Sequence, residues 1–271
     1  MKHPAILRLL ICLLMITLTQ ASGLIAQSDT LAQVDTMMVK IDPIQTDRPD
    51  QTETAHVVPK GYFQMENGFS IEETETGFIY THPGTLWKIG VNDFFEVRVI
   101  TEYINIQDEP NPNNDGLLPI QVGIKAKLLE PHGIIPRTAF IGHLSLPGIA
   151  SEQFATTYFA PALRLAFLND ITDNIAVSYN LGAEWDGEDP RPTFLYTLSL
   201  SASFFKGLGA YAEVYGDVPQ QIEDDFEHRL DAGLTYLIGN HVMVDVSGGI
   251  GLSDNAPEQY VAMGLSYRFK M

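Results

Sequence analysis

From Gly61 to the C-terminus the chain is a succession of long segments in which apolar and polar residues alternate with period two. Leu198 and Leu200 flank Ser199, Val244 and Val246 flank Asp245, and Met263, Leu265, Tyr267 and Phe269 alternate with Gly264, Ser266 and Arg268. The same parity runs through Val177, Tyr179 and Leu181 against Ser178, Asn180 and Gly182. Alternation of this kind defines a strand with one apolar and one polar face. Two architectures absorb many such strands: a soluble sandwich or barrel with its apolar face inside, or a membrane barrel with that face outside. Segment length separates them. Soluble strands usually run about five or six residues, whereas a tilted crossing of a bilayer takes roughly nine to eleven. These segments are of the longer kind, and they predict an all-β fold, a transmembrane antiparallel up-and-down β-barrel.

About twelve strands are expected, near 61–75, 77–91, 94–107, 117–130, 137–149, 154–168, 175–186, 192–205, 209–217, 225–238, 242–253 and 259–270. An even count suits a bacterial single-chain barrel. Short turns such as Asn92-Asp93 and Gly239 to His241 alternate with longer or more acidic links such as 108–116 and 217–224, the tight turn near Glu75 being the exception. Short and long connections therefore sort to opposite rims, as periplasmic turns and extracellular loops do, which puts both termini in the periplasm. Aromatics fall near the strand ends in two girdles. Phe94, Phe95, Phe167, Phe204, Phe205, Tyr236 and Phe269 lie at the short-turn rim, and Tyr103, Trp185, Phe194, Phe226 and Tyr260 at the other.

The N-terminus reads as an export signal. Lys2, His3 and Arg8 precede an apolar run from Leu9 to Leu18, and small residues follow up to Ala26. Cleavage after Ala26 removes residues 1–26 and with them Cys12, the one cysteine. Residues 27–60 form a periplasmic extension, and residues 61–271 the barrel. The formal charge of −18, with 16 basic residues and no basic cluster, argues against nucleic-acid binding. The implied setting is the outer membrane of a Gram-negative bacterium, with lipid, the barrel-insertion machinery and a small-molecule solute as partners.

The stretch TDRPDQTE at 46–53, followed by Val58-Pro59-Lys60-Gly61-Tyr62-Phe63-Gln64-Met65-Glu66-Asn67-Gly68-Phe69, resembles the opening of the outer-membrane, transporter-like family labelled putative MetA-pathway of phenol degradation. Phe95-Glu96-Val97-Arg98, Val122-Gly123-Ile124-Lys125, Leu144-Ser145-Leu146-Pro147-Gly148 and Asp231-Ala232-Gly233-Leu234-Thr235-Tyr236 are similar to later strands of that family, in the same order. The resemblance spans residues 46–269. It implies an outer-membrane barrel of a kind often assumed to pass small molecules, hydrophobic or aromatic ones included; no cofactor is expected. Gly264, Tyr267 and Phe269 also resemble the terminal signal read by the insertion machinery, although Lys270 and Met271 follow the last aromatic.

If the apolar face meets lipid, the opposite parity lines the lumen with Glu66, Lys88, Glu96, Arg98, Glu102, Lys125, Lys127, His143, Arg164, Glu184, Glu213, Arg229, Asp231, Asp245 and Arg268. Charges of both signs must be solvated or paired there. They form either the selective wall of a narrow channel or a salt-bridged interior that plugs a structural or adhesive barrel. Asp47, Arg48, Pro49 and Asp50 lie just before the first strand, where they either tuck into the periplasmic mouth as a plug or form an exposed linker. An acidic excess at Asp108, Glu109, Asp115, Asp186, Glu188, Asp189, Glu223, Asp224 and Asp225 reads either as solvated loop charge or as a negative vestibule that concentrates cations, divalent ones included. An enzyme is not expected. His143-Leu144-Ser145 resembles the His-x-Ser pair of the outer-membrane phospholipase, but parity turns both side chains inward, away from any lipid ester. The histidines show no metal-ligand spacing.

Overall fold

The computed structural model describes residues 42–108, 112–205, 207–218 and 226–271. The signal-peptide reading, and the acidic loop positions Glu109, Glu223, Asp224 and Asp225, lie outside them. The described chain is built of strands with one short 3₁₀ turn at Glu152–Phe154. In order the strands are β1 (Tyr62–Glu73), β2 (Gly77–Asn92), β3 (Phe95–Asp108), β4 (Pro112–Leu117), β5 (Gln121–Leu129), β6 (Arg137–Ser145) and β7 (Ala160–Thr172). β8 (Ile175–Glu184), β9 (Thr193–Ser203), β10 (Leu208–Val218), β11 (Glu227–Ile238), β12 (Val242–Gly251) and β13 (Gln259–Lys270) complete the set.

Each strand pairs antiparallel with its neighbours, and β1 pairs with β13 along its whole length, from Tyr62↔Lys270 to Glu73↔Gln259. The sheet therefore closes and leaves no edge along the wall. Thirteen segments fill twelve places in the barrel, because β4 and β5 are two parts of one strand. β4 pairs with β3 at Tyr103–Gln107 and β5 with β3 at Phe95–Ile100, with a break at Leu118–Ile120 between them. β7, the sixth place in the barrel, begins at Ala160 rather than near 154, because the preceding link folds over the rim. There Ser151 donates its backbone N–H to Leu117, and Tyr158 donates to Gly187 in the adjacent loop.

The burial pattern is the inverse of a soluble protein's. Leu181, Leu198, Leu200, Leu234, Met263 and Leu265 are exposed, Leu200 at 54%, while Glu66, Glu96 and Lys125 are at 0%. Outside faces apolar, inside faces ionised, as bilayer and lumen require. The girdle residues Phe94, Phe204, Phe205, Tyr236 and Phe269 are exposed at the turn rim, and Tyr103, Phe194 and Phe226 at the loop rim. Tyr260 departs from its expected place. It has the inward parity of β13, shared with Ala262, Gly264 and Ser266, and its hydroxyl donates to Asp231 inside the barrel. A lumenal carboxylate gives that phenol a partner the lipid side lacks.

Candidate functional site: a lumen occupied by its own N-terminal segment

Inside the barrel lies residues 42–60 of the same chain. The segment is anchored at the turn rim by the Ile44 N–H on the Asn240 carbonyl (3.0 Å) and returns to that rim before β1. There Gly61 donates to Gly90 at 3.0 Å, and the carbonyls of Val58 and Pro59 press so close to Gly90 that no Cβ would fit. Ile44, Asp47, Thr52, Ala55 and Val58 are buried. Irregular backbone at membrane depth is tolerated only where protein groups satisfy it, and wall side chains do so here. Glu66 accepts the Asp47 N–H (2.9 Å), Glu213 that of Gln51 (2.7 Å), Asn180 that of Glu53 (2.7 Å) and Glu96 that of Val58 (2.6 Å). Asn180 also donates to the Glu53 carbonyl at 3.0 Å. An apolar socket seats Ala55 among Ala139, Ile141, Ala166 and Leu168, the inward parity of β6 and β7. Small residues at Ala139 and Ala166 make room for the extra chain.

Three cations from β2, β3 and β5 converge on this segment. The Asp47 carboxylate takes Lys88 (2.8 Å) and Arg98 (3.1 Å) on one oxygen and Lys125 (2.7 Å) on the other. Arg98 also pairs with Glu53, and Lys88 with Glu66. Lys125 donates as well to the Thr54 carbonyl at 2.8 Å, so every charge in this pocket has a partner. Burial alone would raise the Asp47 carboxyl, but Lys125, Lys88 and Arg98 outweigh it and hold it well below the usual range. Glu53 is likewise buried, and Arg98 brings it down to about 2.

The other flank is different. Thr52 hydrogen-bonds Thr197 (2.6 Å) and Glu213. Glu213 stands directly across the strand pair from Asp231, to which Tyr260 and Tyr211 (3.4 Å) donate. Burial, with Asp231 and Asp47 nearby, pushes Asp50 up to about 7. Arg48 pairs with Asp245 at 3.0 Å.

The remaining expected lumen residues are spread along the barrel. Arg229 pairs with Glu72 (3.1 Å) and Glu227 (2.7 Å), and Arg164 lies 3.7 Å from Glu184 and 4.0 Å from Glu53. Among the described residues Glu102 has no ion pair, and it faces a cavity. Lys127 pairs with Glu130 at 2.7 Å by the turn rim, over the Phe94 ring. Arg268 donates to the carbonyls of Asp42 (2.6 Å) and Asn240 (3.1 Å) and lies over Tyr62, clasping the segment where it enters. His143 is buried against Gly123, facing inward. Tyr267 and Phe269 stack on the lipid face, whereas Gly264 faces the lumen beneath Arg48. Gln51, Thr52 and Glu53, and the wall partners Tyr211, Asn180 and Thr197, were not singled out by sequence as site residues, and Tyr260 was assigned to a girdle instead. The first three lie within the TDRPDQTE stretch, and the other four have inward parity, which was the available signal.

Two cavities flank the segment. One of about 440 Å³ opens on the loop side and is lined by ionised groups including Glu102, Arg164, Glu184 and Arg229, with Leu86 and Ile100 beside them. The other, about 420 Å³, lies on the turn side, with hydroxyls such as Thr172, Ser178, Ser201, Ser203 and Thr235 beside Asp170 and Asp173 in its lining. Arg48, Pro49 and Asp50 line both and so form the partition. No group of three or more His, Cys, Asp or Glu side chains suited to a metal ion occurs among the described residues.

Fold and interior together define a closed twelve-stranded membrane barrel with a segmented lumen. The chain belongs to the family described as putative MetA-pathway of phenol degradation, whose model matches residues 46–269 and so begins within the internal segment. Among curated proteins none matches it. Its fold is similar to that of the COG4313 outer membrane channel from Pseudomonas putida F1, with TM-score 0.65 and 9% identity over 79% of this chain and 98% of that one. The NanC porin is also similar (TM-score 0.53, 9% identity, 76% and 98% covered). So is the KdgM porin in complex with disordered oligogalacturonate (TM-score 0.52, 12% identity, 76% and 99% covered).

Proposed function

We propose that this protein is an outer-membrane channel for the passive passage of small solutes, with both termini in the periplasm and its selectivity set by lumen charges around the internal segment. The observation that carries the reading is the pair of cavities on either side of Arg48, Pro49 and Asp50, in a barrel whose wall is apolar outside and ionised inside. Such a lumen supplies a polar route of graded width, and short-range charge along it discriminates among solutes. Several expected selectivity residues have a nearer task. Glu66, Glu96 and Glu213 accept backbone N–H groups of the segment, and Lys88, Arg98 and Lys125 neutralise its acids. Selection then falls to groups that face the cavities, such as Glu102, Arg164 and Glu184 on the loop side. Membership of the family and likeness to channels and porins support the same reading.

A passive channel needs no catalytic group. His143 and Ser145 share the inward face of β6, paired across to Gly123 and Gln121, where no lipid ester reaches them. The test is single-channel conductance and liposome swelling with purified full-length protein. Small stepwise conductances and swelling by small neutral solutes are expected. Silence in both assays would favour a plugged structural barrel.

A further inference from the structure

Arg48 occupies a built seat. Its guanidinium lies on two glycines, Gly68 and Gly264, which face each other across β1 and β13. A Cβ at Gly68 would overlap the guanidinium, with Cζ at 2.6 Å. One at Gly264 would overlap it too, with Nη2 at 2.7 Å, and would press on Asp245 Oδ2 at 2.5 Å. Neither glycine has positive φ, so the backbone does not demand glycine here. A side chain at either position would instead displace the guanidinium from this seat. Asp245 accepts from Nη2 at 3.0 Å and fixes the group against the wall, with Nε turned onto Gly264. A guanidinium has five N–H donors, and this ion pair spends only part of them.

Among the described residues Arg48 is also the one Lys or Arg that lines both cavities, and on the turn side the acidic side chains around it are Asp50, Asp170 and Asp173. We propose that Arg48 is the charge-selecting residue at the partition, where it favours small anions, and that Gly68 and Gly264 are its positioning residues. Without Arg48 the partition would carry only acidic charge and would favour cations. This inference rests on the reading of the lumen as a conduction route.

The test is the reversal potential of the full-length protein in planar bilayers across a KCl gradient. Arg48→Gln is expected to shift selectivity toward cations, and Arg48→Lys, which keeps the charge, to stay near wild type. Gly68→Ala, which pushes the guanidinium off the wall into the passage, is expected to lower conductance roughly twofold. Heat-modifiable migration checks folding. If Arg48→Gln does not fold, Asp245→Asn replaces it, with an expected shift toward anions. A silent wild type would overturn the channel reading and this inference together. A conducting wild type whose reversal potential is unchanged in Arg48→Gln, or in Asp245→Asn where that replaces it, would overturn this inference alone.

Discussion

The two flanks of the internal segment are held by opposite electrostatics. On one, Asp47 and Glu53 insert among Lys88, Arg98 and Lys125, and each charge finds a counter-charge within a buried network. On the other, Asp50 stands near Glu213 and Asp231, whose partners are hydroxyls and a backbone amide. The first arrangement is a fixed anchor. Taking one acid from a buried ion cluster leaves uncompensated cations, which costs far more than the cluster gains over an apolar core. The second is held by neutral hydrogen bonds against like-charge repulsion and is where the segment yields first. A barrel that keeps its own N-terminus inside thus has a firm side and a soft side, and the partition residues Arg48 to Asp50 lie between them.

The largest expected effect is on the firm side. Asp47→Ala removes the shared partner of three buried cations and is expected to cost about 3–5 kcal/mol. Denaturant unfolding in detergent should show the loss, and segment 42–58 should become open to protease. An unfolding midpoint equal to wild type would show that the cluster is not the anchor.

The soft side predicts a pH dependence of definite sign. The Asp50 carboxyl is raised by burial to about 7. A carboxyl raised in the folded state contributes stability that is fully present below its ordinary range and is lost as pH rises through about 7. Raising pH from 6 to 8 is therefore expected to loosen the segment and increase open probability, and Asp50→Asn to flatten that dependence. Glu53 runs the other way. Its carboxyl is held down at about 2, so its contribution is present above the ordinary range and is lost only in strong acid.

Much of this was legible from residue types alone. Leu198 and Leu200 against Ser199, or Val244 and Val246 against Asp245, declare which face meets lipid, because period two is a local property. The lumen position of Glu66, Lys88, Arg98 and Lys125 followed from the same parity. Their convergence on Asp47 did not. It depends on closure of β1 on β13 and on the stagger between strands, which no single strand encodes. A neglected signal was present in Ala139, Ile141, Ala166 and Leu168. Apolar residues on the ionised parity mark a socket for something apolar, and Ala55 fills it. Tyr260 misled for the converse reason. An aromatic at a strand end suits a girdle, and only its parity and the carboxylate of Asp231 place it inside.

A direct test of the central claim, that residues 42–60 thread the lumen, is a cross-link between the segment and the far wall. Thr52 Oγ1 lies 2.6 Å from Thr197 Oγ1 on β9. The double variant Thr52→Cys, Thr197→Cys, oxidised in the folded barrel, is expected to form an intramolecular disulfide that is reversed on reduction. Cysteines that stay free under oxidation in a barrel with native heat-modifiable migration would contradict it, because the segment would then lie outside the lumen.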